Sequence, residues 1–315
     1  MLASEKIAVS IFLGAVISIY VFEAVLLVRL IRDRLSQHRR VYTVSQRIIQ
    51  WTLHLLAIIG IFCVLYGYFI EPYWIKITYI KLNTSNLNGK LRVVQISDTH
   101  CDKKIRNEKR LPIIVNGLKP DIVVFTGDAI NTPEALPSFK EMLSSIKTRL
   151  GKFAIMGNYD YWPGLDLFRD TGFELLDSNH KVIFCNDKTI YIAGISYDNM
   201  SKWKKAIAGI SQDLFCIFLY HTPDLIEEVS ESGIDLYLAG HTHGGQIALP
   251  FYGALVTLSD FGKKYEGGKY VVGSTTLYVN QGIGMEGGIA PRVRFWARPE
   301  ITVFDIYGKT KEVQK

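Results

Sequence analysis

The chain has 315 residues, of which 48% are hydrophobic, and a formal net charge of +6. This length exceeds one average domain and suits a single α/β domain with an accessory segment. Much of the positive charge lies near the N-terminus, and no basic stripe with a reading element is found, so the sequence does not indicate nucleic-acid binding. The four cysteines have no paired spacing, which argues against a disulfide framework and a cysteine zinc cluster.

Two long apolar runs lie at the start of the chain, at residues 7–30 and 48–70. Each is long enough to cross a bilayer as a helix, which takes about 20 apolar residues. A cleavable signal peptide fits badly, because there are two runs and no clear small-residue cleavage site follows the first. We therefore predict a transmembrane helical hairpin, with residues 1–70 as a membrane anchor. Glu23, inside the first run, is expected to be protonated or to face Gln50 or His54.

The charges beside the two runs bear on the orientation of the hairpin. Five arginines lie at the connection between the runs, Arg32, Arg34, Arg39, Arg40 and Arg47. The segment after the second run carries fewer and more widely spread charges, Lys76, Lys81, Lys90 and Arg92. By a small margin, the positive-inside rule places the connection in the cytoplasm and the long C-terminal part outside.

After residue 71 the sequence changes to short β-rich runs that alternate with amphipathic helical stretches. We predict strands at residues 91–97, 121–126, 153–156, 182–185, 189–195, 214–220, 235–239, 277–280 and 301–307. We predict helices at residues 106–117, 133–150, 165–171 and 223–232. This alternation indicates a layered α/β domain over residues 71–315, with sheets at the centre and helices outside.

Polar residues follow the ends of five of these strands, and all are of metal-ligand types. They are Asp98, His100, Asp128, Asn158, His221, His241 and His243. In open α/β architectures, ligands collect just beyond the carboxyl ends of strands. Any one of these residues alone would more often be a cap, turn or core residue, but the whole ordered set is hard to obtain by chance.

The donor chemistry of this set predicts a two-metal site. Mixed carboxylate, imidazole and amide donors suit Mn²⁺, Fe²⁺ or Zn²⁺ better than Ca²⁺ or an all-sulfur site. Seven donors are too many for one tetrahedral ion and suit two ions that share a bridging carboxylate. Two ions about 3.5–4 Å apart activate a water and neutralise the oxygens of a phosphorus centre. We therefore expect two divalent metal ions, with Mn²⁺ as the first choice.

The motifs SDTH, TGDA, GNYD, YHTP and AGHTHGGQ, in this order, resemble those of the calcineurin-like metallophosphoesterases. The resemblance covers residues 71–315 and implies a layered β-sandwich flanked by helices. It also implies two ligand triads and a bridging carboxylate: Asp98, His100 and His243 for one ion, Asn158, His221 and His241 for the other, and Asp128 between them. A hydroxide between the ions would be the nucleophile. Residues 281–306 resemble the membrane-anchored bacterial branch, which implies a bacterial inner-membrane protein.

Tyr159 departs from the family pattern. The common motif is Gly-Asn-His-Asp/Glu, whose histidine is thought to steady the transition state or protonate the leaving oxygen. A phenol, with an ordinary pKa of about 10, carries no positive charge at neutral pH. Protonation matters most for a poor leaving group such as an alkoxide, and little for a departing phosphate monoester. We therefore predict cleavage of a diphosphate bond, with Asp128, Asn158 and Tyr159 as catalytic residues.

One branch of the family matches these features. The UDP-2,3-diacylglucosamine pyrophosphatases of lipid A biosynthesis split a nucleotide-sugar lipid into UMP and acylated glucosamine 1-phosphate. At least one of their lines also lacks this histidine, and one is membrane-bound. The resemblance implies a phosphorylated lipid or nucleotide-sugar lipid as substrate. The charge count argues against this substrate. It places the C-terminal part outside, whereas the lipid A intermediate is made in the cytoplasm.

Two alternatives to this function stay open. The first is a general metal-dependent phosphodiesterase or phosphomonoesterase that acts on another lipid or nucleotide. The second is a non-catalytic membrane protein that keeps the fold for partner binding, which the complete ligand set opposes. The sequence indicates the bilayer as a partner and no obligate protein partner.

Two further sets of side chains have open roles. The aromatic residues after Asn158 either pack against the domain or contact acyl chains or uracil: Tyr159, Tyr161, Trp162 and Phe168. Three arginines near the C-terminus either contact a diphosphate or are solvated: Arg292, Arg294 and Arg298. Cys101, beside His100, is expected to be a packed thiol.

Overall fold

The structure, a computed structural model, describes residues 1–36, 41–185, 188–287 and 291–309. Arg39 and Arg40, which contribute to the charge count above, lie outside the described residues, as do residues 310–315 of the predicted domain. The helices are α1 Ala3–Leu35, α2 Val44–Phe69, α3 Leu111–Gly117, α4 Leu136–Ser144, α5 Trp203–Ala206 and α6 Ile226–Val229.

The strands follow α2 in the chain. They are β1 Lys76–Asn88, β2 Lys90–Ile96, β3 Ile122–Thr126, β4 Gly151–Ile155, β5 Glu174–Leu175, β6 Asn179–Cys185, β7 Lys188–Gly194, β8 Phe215–Leu219, β9 Leu236–Ala239, β10 Ala248–Leu249, β11 Gly253–Ala254, β12 Gly268–Val272, β13 Thr275–Val279 and β14 Glu300–Lys309. All four cysteines are free in the structure.

Helices α1 and α2 form an antiparallel hairpin. Tyr20 Oη donates a hydrogen bond to the carbonyl oxygen of Ala57 over 3.1 Å, and the carboxylate of Glu23 lies 2.8 Å from His54 Nδ1. His54 is therefore the partner of Glu23, so the polar group in the first run is paired. Both helices are long and apolar enough to cross a membrane, and many of their large apolar side chains are exposed.

Two six-stranded sheets form the centre of the chain after the hairpin. Their strand orders are β1-β14-β2-β3-β4-β5 and β12-β13-β9-β8-β7-β6. Strands β2 to β5 run parallel in the first sheet, and β7, β8, β9 and β13 run parallel in the second. Their carboxyl ends therefore gather at one edge of each sheet, where ligands are expected.

The two sheets pack face to face. Val93 of the first sheet and Leu238 of the second are fully buried in one apolar cluster between them. Val94 points to the opposite face from its neighbour and packs with Phe139 of α4, while α5 and α6 cover the outer face of the second sheet. The structure thus confirms the predicted layered sandwich flanked by helices.

Strand β1 has no counterpart among the predicted strands. Its positions alternate between half-buried and exposed, and polar residues such as Lys81 and Thr84 interrupt the apolar pattern. It pairs in parallel with β14, from Lys76 opposite Glu300 to Asn83 opposite Tyr307. Because this partner lies at the far end of the domain, a local pattern cannot predict the pairing.

The predicted helix at residues 165–171 is wrong. The carboxylate of Asp166 accepts hydrogen bonds from the N–H groups of Phe168 (3.2 Å) and Arg169 (3.0 Å), and Asp170 has a φ of 65°. These side-chain bonds stabilise a turn in place of helical hydrogen bonds. The helix predicted at 133–150 is also shorter, because its regular part is α4.

Candidate metal centre

The residues predicted at strand ends lie at one edge of the sandwich. Asp98, Asp128 and Asn158 follow the carboxyl ends of β2, β3 and β4, which are parallel neighbours. His221 and His241 follow β8 and β9 of the facing sheet, which are also parallel neighbours. The fold therefore converts strand ends that are distant in sequence into a single cluster.

Six of the seven predicted ligands form two compact groups. The groups are Asp98 with His100 and His243, and Asp128 with His221 and His241. In each group, one potential ligand atom from each residue lies within 4.8 Å of the others. Apart from the partly buried His241, all of these residues are buried. Such convergence of buried donors is typical of a metal site.

Asp128 lies between the two groups. Its Oδ2 is 3.2 Å from His221 Nε2 and 3.4 Å from His100 Nε2. His100 Nε2 is in turn 3.1 Å from His243 Nε2. One carboxylate is thus positioned to serve both groups.

Asn158, the seventh predicted ligand, lies beside Asp128. Its neighbours in the chain both contact that carboxylate: a Cβ on Gly157 would lie 2.2 Å from Asp128 Oδ1, and the N–H of Tyr159 donates to Oδ1 over 2.9 Å. The side-chain oxygen of Asn158 is buried and has no hydrogen-bond partner among the described residues. A cation would satisfy this acceptor.

Hydrogen bonds on the far side of two imidazole rings select the nitrogen that faces the site. His100 Nδ1 lies 2.8 Å from Asn131 Oδ1, and His221 Nδ1 lies 2.7 Å from the carbonyl oxygen of Thr126. Each oxygen accepts the ring N–H, which leaves the Nε2 lone pair directed into the site. Both rings therefore present Nε2 to the site as the potential ligand atom.

In His241 the two ring nitrogens have exchanged roles. Its Nε2 lies 3.3 Å from the carbonyl oxygen of Leu258, which accepts the N–H, and its Nδ1 lies 3.3 Å from His221 Nε2. Nδ1 is therefore the nitrogen available for a metal. Imidazole lone pairs, two carboxylates and an unpartnered amide oxygen together fit borderline divalent ions.

Comparison with known proteins agrees with this geometry. The family model of the calcineurin-like phosphoesterases matches residues 91–245, which include all seven predicted ligands. The metallophosphoesterase YkuE of Bacillus subtilis is 34% identical over 260 residues, which cover 76% of this chain and 89% of that protein. The chain belongs to the calcineurin-like metallophosphoesterase family. Members bind two divalent metal ions, and the enzyme is a hydrolase that acts on phosphoester bonds.

Two further relatives of this metallophosphoesterase have more specific names. The UDP-2,3-diacylglucosamine pyrophosphatase LpxG of Chlamydia trachomatis is 28% identical over 305 residues, which cover 74% of this chain and 89% of that protein. A transmembrane protein with a metallophosphoesterase domain from Danio rerio is 32% identical over 240 residues, which cover 69% of this chain and 53% of that protein.

Five of the metallophosphoesterase's seven predicted ligands have left-handed backbone conformations. The φ angles are 50° at Asp98, 39° at His100, 59° at Asp128, 70° at His241 and 52° at His243. Non-glycine residues rarely adopt this conformation, which costs on the order of 1–3 kcal/mol each. Such strain concentrates at functional sites, where the surrounding structure maintains it, and the ligand turns of this enzyme follow that pattern.

Burial and mutual proximity shift the pKa values of the charged groups in the site. Burial raises the pKa of Asp98 to about 6, against the opposing effect of His221. Burial disfavours the charged form of His221, but Asp128 and Asp98 outweigh it and raise its pKa to about 10. Burial likewise opposes ionisation of Asp128, yet His221 and His100 hold its pKa well below the ordinary value. These carboxylates therefore favour positive charge beside them.

Asp160 is absent from the predicted site residues, yet it supports the metal centre. Its buried carboxylate accepts hydrogen bonds from the N–H groups of Asp128 (2.8 Å), Ala129 (2.7 Å) and Gly157 (2.8 Å). It thereby joins the turn after β3 to the turn after β4. The signal available in the sequence is its place as the acidic residue of the GNYD motif.

Arg294 fits neither of the two roles considered for it, contact with a diphosphate or solvation. It is fully buried, its guanidinium donates hydrogen bonds to backbone carbonyl oxygens, and Nη2 lies 3.1 Å from His243 Nδ1. It acts as a positioning residue behind His243. The other two arginines are also paired, Arg292 with Asp102 (2.7 Å) and Arg298 with the ring of Trp74 (4.1 Å to the centroid).

Tyr159 lies at the site, with its ring edge-on to His100 at a centroid distance of 5.1 Å. Its hydroxyl donates a hydrogen bond to Glu286 Oε1 over 2.7 Å. Burial, together with this bond, raises the pKa of Tyr159 above its ordinary value, so the phenol stays neutral. Among the other aromatic residues of this loop, Phe168 is buried and Trp162 packs against the same core cluster, as ordinary packing requires.

Gly127, between β3 and Asp128, offers a test of how closely these turns approach. Its φ is 96°, and a Cβ there would lie 2.6 Å from both Gly157 N and His221 Nδ1. Gly127→Ala should therefore separate the turns and lower the free energy of unfolding by about 3 kcal/mol, with loss of hydrolysis. Thermal unfolding and rate measurements check this.

Gly117→Ala is the matched control, because a Cβ at Gly117 in α3 would meet nothing within 4 Å. This variant should keep the wild-type melting temperature and rate. A Gly127→Ala protein with equally unchanged properties would contradict the close approach of the turns.

Proposed function

We propose that this metallophosphoesterase is a membrane-anchored pyrophosphatase that hydrolyses UDP-2,3-diacylglucosamine, or a close relative, to UMP and acylated glucosamine 1-phosphate. Tyr159 carries the proposal, because its phenol donates to Glu286 and supplies no cationic acid beside His100. A phosphate monoester departs without protonation, whereas an alkoxide requires it. The name of the relative LpxG supports this choice of substrate.

The proposed site holds two ions, with Mn²⁺ as the proposed metal. The assigned ligands are Asp98, His100 and His243 for one ion, Asn158, His221 and His241 for the other, and Asp128 between them. When bound, such ions supply an activated water and neutralise the charge that develops on the phosphoryl oxygens. The chain prepares the site by holding the ring protons of His100 and His221 at Nδ1, away from the ligand atoms.

Anchoring in the bacterial inner membrane forms part of the proposal. Many large apolar side chains of α1 and α2 are exposed, and the Danio rerio relative is named as a transmembrane protein. A hairpin would keep the metal centre close to an acylated substrate. It would also place the N-terminus and the catalytic domain on the same side of the membrane.

The purified full-length protein with Mn²⁺ tests the substrate. We expect release of UMP from UDP-2,3-diacylglucosamine, with a higher kcat/KM than for an aryl phosphomonoester. Preference for the monoester would overturn the pyrophosphatase and favour the general phosphoesterase. An Asp128→Asn preparation, purified in the same way, controls for contaminating hydrolases.

A reporter fused after residue 315 tests the topology. The lipid A substrate requires a cytoplasmic reporter, since the intermediate is made there. The positive-inside count predicts the opposite orientation. A reporter on the outer side of the membrane would defeat the lipid A substrate while leaving metal-dependent hydrolysis intact.

Substitutions of Tyr159 test the argument from the leaving group. Tyr159→Phe should lower the rate on the diphosphate substrate by only about threefold, because a phosphate leaving group needs little proton transfer. Tyr159→His should raise the rate on an alkyl phosphate by about tenfold or more, because it adds a titratable acid. A hundredfold loss in Tyr159→Phe, on the order of full general-acid catalysis, would show that the phenol protonates the leaving group.

A further inference from the structure

Large apolar side chains are exposed on three loops that follow β9. Phe251, in the turn between β10 and β11, has a relative exposure of 111%, Trp296 has 64% and Leu258 has 42%. All three have left-handed backbones, with φ of 65°, 59° and 58°. We define the apolar rim as these residues together with Tyr252, which is 44% exposed. Bulky side chains are thus presented outward by unfavourable backbone conformations, without burial within the described chain.

The apolar rim borders the metal centre at Leu258. The carbonyl oxygen of Leu258 accepts the ring N–H of His241 over 3.3 Å, so one rim residue contacts a proposed ligand directly. The N–H of Ala248 donates to the carbonyl oxygen of Phe295 over 2.8 Å, which joins the β10–β11 turn to the loop that carries Trp296. A backbone hydrogen bond thus links β10 to the loop of Trp296, and Leu258 borders the metal centre.

The same loops contact the ends of the hairpin. Glu5, in the first turn of α1, is buried and accepts hydrogen bonds from Thr257 N and Oγ1, both over 2.8 Å. Glu71, just after α2, accepts the N–H of Trp296 over 3.0 Å. Because α1 and α2 are antiparallel, these two ends emerge at the same face of a membrane. The rim is anchored at that face by contacts to both helices.

We propose that the apolar rim inserts into the bilayer beside the hairpin, so that the metal centre opens at the membrane surface. The rim then receives phosphorylated lipids whose acyl chains remain in the bilayer, an inference that rests on the proposed membrane anchoring. Lys263 stacks on Tyr252 at 4.2 Å and Arg298 on Trp74 at 4.1 Å. Aromatic rings and cationic side chains are both favourable at the membrane–water interface, where the anionic lipid headgroups lie.

An environment-sensitive fluorophore on Phe251→Cys tests insertion in the full-length protein. The matched control is Phe184→Cys, because Phe184 is also a strongly exposed aromatic residue (76%), and it pairs with Thr189 at the start of β7. That end of the strand is opposite the metal centre. Both variants carry Cys63→Ser, since the other cysteines are buried.

The labelled proteins are reconstituted in vesicles of phosphatidylcholine and phosphatidylglycerol that contain doxyl-labelled lipid. We expect blue-shifted emission at position 251 and about threefold stronger quenching there than at position 184. Equal quenching at both positions would place the rim in water or against another protein and would overturn the proposal. This measurement reports insertion whether or not the enzyme cleaves any substrate.

A double variant, Phe251→Ser with Trp296→Ser, tests the consequence for catalysis. Hydrolysis of UDP-2,3-diacylglucosamine in vesicles should fall about tenfold or more, whereas hydrolysis of a soluble aryl phosphodiester should not change. Phe184→Ser should alter neither rate. An equal loss of rate on both substrates would contradict the proposal that the rim receives lipids from the bilayer. Quenching of the labelled Phe251→Cys protein, together with wild-type protein that is inactive on UDP-2,3-diacylglucosamine, would instead defeat the substrate proposal alone.

Discussion

Replacing Asp128 by asparagine should lower metal-dependent phosphoester hydrolysis by about a thousandfold or more. The carboxylate lies 3.2 Å from His221 Nε2 and 3.4 Å from His100 Nε2, which is the position that the proposed shared ligand requires. An amide of the same shape presents one neutral oxygen and removes charge that balances two divalent ions. Metal content by elemental analysis and the rate of UMP release, measured on the same preparation, check this expectation.

Asp166→Asn is the matched control for this charge removal. The Asp166 side chain is 52% exposed and pairs with Arg169 on the protein surface. Loss of such an exposed pair costs about 0–1 kcal/mol, so metal content and rate should stay at wild-type values. An Asp128→Asn protein that kept both ions and the wild-type rate would contradict the assignment of Asp128 as a shared ligand.

Asp160→Ala should cause the second large effect, through the backbone rather than the metal. Three buried N–H groups, those of Asp128, Ala129 and Gly157, would lose their acceptor. Each unsatisfied buried donor costs about 1–3 kcal/mol, so we expect the melting temperature to fall by about 10 °C. Hydrolysis should fall by about a hundredfold, because the turns that carry Asp128 and Asn158 lose their common support.

Two companion variants separate support of the site from general stability. Asp160→Asn keeps one acceptor oxygen and should lie between the wild type and Asp160→Ala in both measurements. Asp121 also accepts a backbone N–H, that of Arg92 over 2.7 Å, but it lies before β3 at the edge away from the metal centre. Asp121→Ala should therefore lose stability without loss of bound metal. Equal loss of metal in both alanine variants would argue against a specific role for Asp160.

The sequence predicts the layered fold and the position of the predicted ligands because both depend on local patterns. The apolar runs that become β3 and β9 are readable from a few residues, and Asp128 and His241 follow them after a single glycine. Parallel strands then bring such ends to one edge without further information. The ligand roles themselves stay predictions, while the structure shows that the side chains converge.

Features that depend on contacts between distant segments cannot be predicted from local sequence patterns. Arg294 looks like a solvated or phosphate-binding residue in sequence, and only the fold shows that it is buried behind His243. Asp160 follows no predicted strand end directly, and its three acceptor bonds depend on the approach of two turns. Likewise, nothing near Phe251 in the sequence indicates that its turn lies beside the ends of α1 and α2.

The last of the described strands to be synthesised, β14, lies between β1 and β2 in the first sheet. Until the ribosome has made it, β1 has no partner and the buried position of Phe304 between the sheets stays empty. Non-local pairings of this kind form late and leave edges exposed in the meantime. The hairpin, made first, would hold this incomplete nascent domain at the membrane, away from other unfinished chains, until translation supplies the closing strand.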